Sequence, residues 1–126
     1  MTWNAQTLQT IGSSEEIAIS SYRKDGSLRR WTPIWVVRAG DELFIRSAFG
    51  TEGGWYRWAM TNRTARIRAN GIETDVSLVP AVDPSTNSAV DAAYTEKYRR
   101  QPGSLRPMIA PTAAATTVRV DPRESE

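Results

Sequence analysis

Residues 29–58 gather the side chains with most to offer a ligand. Arg29-Arg30-Trp31-Thr32-Pro33-Ile34-Trp35-Val36-Val37 leads through a turn at Ala39-Gly40-Asp41 into Leu43-Phe44-Ile45-Arg46-Ser47. The loop Ala48-Phe49-Gly50-Thr51-Glu52-Gly53-Gly54 follows, and then Trp55-Tyr56-Arg57-Trp58. Four of the five tryptophans lie here, beside Arg, Ser, Thr and Gly. Aromatic surface, guanidinium forks and a glycine-rich loop suit a flat, phosphate-bearing ligand, because rings stack on indole and a planar fork matches an oxyanion. The same composition closes other routes. With no His and no Cys, Ser-His-Asp and Cys-His nucleophilic catalysis, Cys/His zinc sites and histidine-ligated haem are excluded. Gly50-x-x-Gly53-Gly54 matches neither a Walker loop nor a dinucleotide fingerprint. The acid pairs Glu15-Glu16, Asp41-Glu42 and Glu73-Asp75 fall at strand ends and turns, so no metal site or glycosidase-type carboxylate pair is expected. The enzymatic option left is a bound cofactor that brings its own chemistry, with a flavin-like ring as the natural fit.

These residues need elements to position them. Asn4 caps a short helix through Leu8 to Ile11, stopped by Gly12. From Glu16 apolar residues alternate, which predicts a strand, and Arg23-Lys24-Asp25-Gly26-Ser27 reads as a hairpin turn. A second strand is expected over 30–37, with Pro33 marking an edge or bulge, and a third over 42–47. A short helix is expected from about 54 to 61. Ala65–Ala69 and Glu73–Val79 form a hairpin around Asn70-Gly71. Asp83-Pro84 opens a helix carrying Val90, Ala93, Tyr94, Lys97 and Tyr98. The small-residue run 112–117 reads as a close-packed approach to a sixth strand over 116–120, with 121–126 expected to fray. Six short strands in hairpins with helices beside them describe a mainly β fold, a six-stranded antiparallel barrel with short flanking helices, since closure removes exposed edges.

At 126 residues one domain is expected over 1–126, with 1–14 forming the N-terminal helix. The N-terminus lacks a basic-then-apolar leader, no apolar run could span a bilayer, and Cys is absent, which reads as a cytoplasmic protein with no membrane partner. The net charge of +2 argues against strong nucleic-acid binding. Its distribution is uneven: residues 1–70 carry ten bases against six acids, and 71–126 carry six against eight. Arg63, Arg66 and Arg68 with nearby aromatics offer a weak nucleic-acid surface, but Arg66 and Arg68 alternate with Ala65, Ile67 and Ala69 as an exposed strand face does. No nucleic-acid partner is expected.

The order Arg23-Lys24-Asp25-Gly26-Ser27-Leu28-Arg29, then Thr32-Pro33-Ile34-Trp35, then Gly40-Asp41-Glu42-Leu43-Phe44-Ile45, resembles the flavin-binding split-barrel superfamily. This includes the pyridoxamine-phosphate-oxidase-like proteins and the deazaflavin-dependent nitroreductases. Ser47, Gly50, Trp55-Tyr56 and Asn62-Arg63-Thr64-Ala65 stand where the latter place a strand-ending Ser, a Gly-rich loop, a Trp/Tyr helix and an Asn-led strand. The resemblance covers about residues 15–121 and is nearest a small, uncharacterised bacterial branch. It implies a split barrel that binds FMN or a deazaflavin and passes hydride to a small acceptor. Arg30, Thr32, Arg46 and Ser47 would anchor the phosphate. Pro33, Ile34, Trp35 and Trp55 would shape the ring pocket, and Gly50 would close it. Relatives commonly carry a phosphate-binding Lys where this chain has Ala48-Phe49, which leaves Arg46 or Arg57 to supply the charge. Tyr56, Tyr94 or Tyr98 would meet substrate, and no side chain is assigned a covalent catalytic role. A homodimer with the cofactor at its interface is also implied. The alternative is a non-catalytic barrel that binds another anionic ligand or serves as an interaction module.

Overall fold

The computed structural model describes residues 2–123. Helix α1 (Ala5–Gly12) begins where the Asn4 side chain accepts the Thr7 N–H. Strands β1 (Ile17–Ser20), β2 (Thr32–Ile34), β3 (Val37–Ala39) and β4 (Glu42–Ile45) follow, then α2 (Gly54–Asn62), β5 (Thr64–Ala69) and β6 (Ile72–Pro80). Helices α3 (Pro84–Lys97), α4 (Pro102–Met108) and α5 (Pro111–Ala114) precede β7 (Val118–Pro122). Every pairing is antiparallel and the strand order is β2-β1-β5-β6-β7-β4-β3. The two outermost strands, β2 and β3, are consecutive in the chain and separated only by Trp35 and Val36. The sheet therefore returns on itself as a mainly β, antiparallel split barrel.

The strand expected over 30–37 is two strands, so the barrel has seven rather than six among the described residues. Pro33 sits opposite Ala18 and has no N–H to donate, which limits how far β2 can extend. Trp35 and Val36 then leave the ladder, and the chain turns from pairing with β1 to pairing with β4. This bend is the seam of the barrel.

Alternation along the strands builds two cores. Leu43 and Ile45 of β4 point into the barrel with Ile19, Ile67, Val76 and Val120. Phe44 points the other way and packs with Val37, Val90, Tyr94, Tyr98 and Met108 against α3 and α4. With both faces covered, β4 is apolar without interruption at Leu43-Phe44-Ile45. The run 112–117, read from sequence as a close-packed approach to the last strand, begins inside α5, and α4 precedes it. Both helices start with proline at their first turn, where a missing N–H costs nothing. Of the tail expected to fray over 121–126, Asp121 and Pro122 of β7 pair with Ser77 and Val76 of β6, and the Arg123 N–H donates to Asp75 O; residues 124–126 lie outside the described residues. Among the described residues no helix is long and apolar enough to cross a membrane.

Candidate functional site

The hairpin around Asp25-Gly26 sets the first half of the site. Arg23 N–H donates to Ser27 O and Arg29 N–H to Ser21 O, with Tyr22 bridged to Leu28 between them. That register puts Ser21, Arg23 and Arg29 on one side of the ribbon. They line a cavity with Ser20, Arg30, Thr32, Gly54, Trp55 and Trp58. The Arg29 guanidinium carbon lies 3.6 Å from the centre of the Trp58 ring, and its buried Nε has no hydrogen-bond partner. Arg23 donates to Leu28 O at 2.7 Å. No carboxylate lines this cavity, and among the described residues Arg23, Arg29 and Arg30 form no ion pair. Gly54, the first residue of α2, also lines it, and no side chain caps that helix. Three arginines and the first residue of α2, at the positive end of that helix's dipole, thus line one concavity. Its electrostatics call for an anion.

A second cavity adjoins it, and Thr32 and Trp55 line both. Its walls are Pro33, Ile34, Trp35, Ala48, Phe49 and Met108, with Glu16, Arg46 and Ser104 as the remaining polar residues. Trp35 is stacked face to face on Tyr98, ring centres 3.6 Å apart and planes 2° from parallel. Phe49 is 82% exposed and stands at the rim. This cavity offers an aromatic, apolar slot for a flat ring.

The structure therefore brings Thr32, Pro33, Trp35 and Trp55 together as expected and places Arg30 beside them. Other candidates are diverted. Arg46 is 1% exposed, and its five N–H groups are all engaged. Nε donates to Thr117 Oγ1 (2.8 Å), Nη1 to Asp91 Oδ1 (2.5 Å) and Met108 O (3.0 Å), and Nη2 to Asn87 O (3.3 Å) and Oδ1 (3.1 Å). A guanidinium has five donors, so none is left for a phosphate. Arg46 is a tie between β4, α3, α4 and β7. Ser47 is buried: its N–H donates to Thr116 Oγ1 at 2.8 Å, and its hydroxyl is unpartnered against Gly53, where a Cβ would collide with it. Gly50 adopts φ +65° beneath Thr112 and lines neither cavity. Arg57 is exposed on α2 away from both.

None of the three candidate tyrosines lines either cavity. Tyr56 packs edge-on to Trp55, with ring centres 5.9 Å apart. Tyr94 and Tyr98 are enclosed in the outer core, at 0% and 1% exposure, and burial pushes both hydroxyls well above the ordinary tyrosine pKa. Arg66 pairs with Glu73 and Asp75, while Arg68 approaches Glu73 and lies over Trp31. The charges of that strand face are met within the protein.

Sequence reasoning passed over Arg23 and Arg29 as ligands. The local signal was partial: Asp25-Gly26 marks the turn, but a two-residue turn there would pair Arg23 with Leu28, and only the observed Tyr22–Leu28 register puts Arg23 and Arg29 on the same side. Trp58, Phe49, Met108 and Ser104 had no such local sign, since α2, the 48–53 loop and α4 meet the barrel only through tertiary packing.

Residues 7–120 match the family described as "Uncharacterized protein conserved in bacteria (DUF2255)", and the chain belongs to it. No curated protein matches. Among solved structures, the chain is similar to an FAD-binding protein from Mesorhizobium loti (13% identity, 98% of this chain and 93% of that one, TM-score 0.60). It is also similar to an F420 reductase (18%, 98% and 97%, 0.55) and to the haem storage protein HutZ from Vibrio cholerae (7%, 99% and 93%, 0.62). At these identities the likeness establishes the split-barrel fold shared with flavin-, F420- and haem-associated proteins.

Proposed function

We propose that the chain binds a flavin or deazaflavin across the two joined cavities and acts as an oxidoreductase that passes hydride to a small acceptor. The observation that carries this reading is the division of labour on either side of Thr32 and Trp55. Guanidiniums without carboxylate partners occupy one cavity, and an aromatic slot occupies the other. The buried, unpartnered Nε of Arg29 is a donor still lacking an acceptor, and a buried donor without one carries a desolvation penalty that an oxyanion would remove.

Arg29, Arg30 and Arg23 hold the anionic tail, aided by the amide end of α2. Trp35, Ile34, Pro33 and Met108 wall the ring and exclude water from it, and Phe49 stands where an acceptor enters. When bound, the cofactor itself supplies the hydride chemistry. Glu16 is the carboxylate at the ring cavity. Phe49 and Trp58, 82% and 52% exposed, each stand at one of the cavities. A second copy of the chain covering them would complete both, and we propose a homodimer on that ground, to be checked by light scattering.

The test is quenching of tryptophan fluorescence by FMN and by a phosphate-bearing deazaflavin, with Arg29→Ala alongside. Saturable quenching that weakens in the variant and with added salt is expected. No quenching by either ligand would overturn the cofactor reading in favour of a barrel for another anion, which inorganic pyrophosphate would then probe.

A further inference from the structure

The ring cavity has one wall whose position is set from outside the barrel. Trp35 and Val36 lie at the seam between β2 and β3, beyond either ladder, so neither strand holds the Val36 carbonyl. That carbonyl is taken by the end of α3. Lys97 Nζ donates to Val36 O at 2.6 Å, and also to Gly12 O at 2.9 Å and Ser14 O at 2.6 Å. The Tyr98 hydroxyl donates to Glu15 O at 2.7 Å and approaches Val36 O at 3.2 Å, while its ring stacks flat on the Trp35 indole.

We infer that Lys97 and Tyr98 are positioning residues: by gripping the seam from α3 they set the Trp35 wall that the ring ligand meets. This rests on the ring-cavity reading above. An ammonium group has three N–H donors, and here three carbonyls receive them. A neutral amine has two, so loss of the proton leaves one carbonyl without its donor and loosens the grip. Burial lowers the Lys97 pKa to about 8, with Glu15 opposing. The charged or titratable groups on the surrounding segments are Glu15 and Glu16 ahead of β1, Arg38 on β3, Asp91, Tyr94 and Glu96 on the lysine's own helix, and Tyr98, which caps that helix with its ring centre 5.2 Å from Nζ; α1 contributes none. The ring wall is therefore set differently on the two sides of about pH 8.

The test uses riboflavin, which carries the ring without a phosphate that titrates. Its affinity and the near-ultraviolet circular dichroism of the unliganded protein, which reads the Trp35–Tyr98 stack, are followed from about pH 7 to about pH 9.5. Affinity is expected to fall roughly fivefold, the worth of one hydrogen bond, with the dichroism changing at the same midpoint near 8. Lys97→Arg keeps its charge throughout and is expected to be flat. Tyr98→Phe keeps the stack, loses the hydroxyl and is expected to bind more weakly at every pH. Riboflavin binding that ignores pH, or a Lys97→Arg profile identical to the parent, would overturn the positioning role while leaving the ring cavity in place. Dichroism that titrates in the parent but not in Lys97→Arg, with no riboflavin bound at any pH, would support the grip on Trp35 and overturn the ring-cavity reading.

Discussion

Arg46 and Arg29 are the same residue in opposite circumstances. Arg46 sits on β4 with every donor consumed by Asp91, Asn87, Thr117 and the Met108 carbonyl, sealed between the barrel and α3–α4. Arg29 sits in the connection between β1 and β2, opposite Ser21, laid over Trp58, with its Nε unpartnered and no carboxylate among the described residues lining its cavity. A buried guanidinium that has met all its acceptors belongs to the fold. One held in place by an aromatic ring, with a donor unspent, remains available to a ligand. What separates the two roles is the state of the donors, more than the degree of burial.

Substitutions can break or sharpen that contrast. Arg46→Ala is expected to lower unfolding free energy by about 3–5 kcal/mol, because it strands the partners of a buried charge; urea denaturation checks this. A loss below about 1 kcal/mol would mean Arg46 is not the tie described here. Arg29→Ala should do the reverse, leaving stability within about 1 kcal/mol while weakening an anionic ligand by about 1.5–3 kcal/mol, read by fluorescence titration. If the two variants behaved alike, the distinction would collapse. Gly53→Ala, which drives a methyl against the buried Ser47 hydroxyl, is expected to cost about 1–3 kcal/mol of stability and to disturb the start of α2. Arg30→Ala, at an exposed position, should weaken the ligand by at most about 1 kcal/mol and should reduce the salt dependence of binding.

Lys97 sharpens the comparison in another way, since its ammonium is saturated by carbonyls yet disfavoured by burial. Its folded pKa of about 8 lies below the ordinary 10.5, so between those values the unfolded chain binds more protons and stability rises with pH. Lys97→Met should abolish that rise when urea midpoints at about pH 7 and about pH 9.5 are compared. This trend runs opposite to the expected change in riboflavin affinity, so global stability and ring-wall positioning can be told apart in one protein.

Much of the barrel was legible because its signals are local. Asn70-Gly71 and Asp25-Gly26 turn where positive φ is needed, at +45° and +86° for the first pair and at +87° for Gly26. Asn4 and Asp83 cap their helices through their own side chains. The alternation Ala65-Arg66-Ile67-Arg68-Ala69 declared which face is buried. The split at Trp35-Val36 was less legible, since Pro33 signalled an irregularity without saying that the chain changes partners there. Helices α4 and α5 were not expected, although Pro102 and Pro111 stand at their first positions, where a missing N–H costs nothing.

For the site, the residue types alone established what chemistry could be present: no thiol, no imidazole, abundant arginine and clustered indole. Grouping Thr32, Pro33 and Trp35 with Trp55 was what the resemblance to split-barrel proteins implied, since strand and turn periodicity act over a few residues and do not reach from that strand to Trp55. Which arginine has its donors consumed within the protein was decided only when α3, α4 and β7 closed over β4. Those elements lie 41 to 71 residues along the chain from Arg46 and supply its acceptors. A donor is spent or free according to what packs against it, and that is a property of tertiary contact which no local pattern encodes.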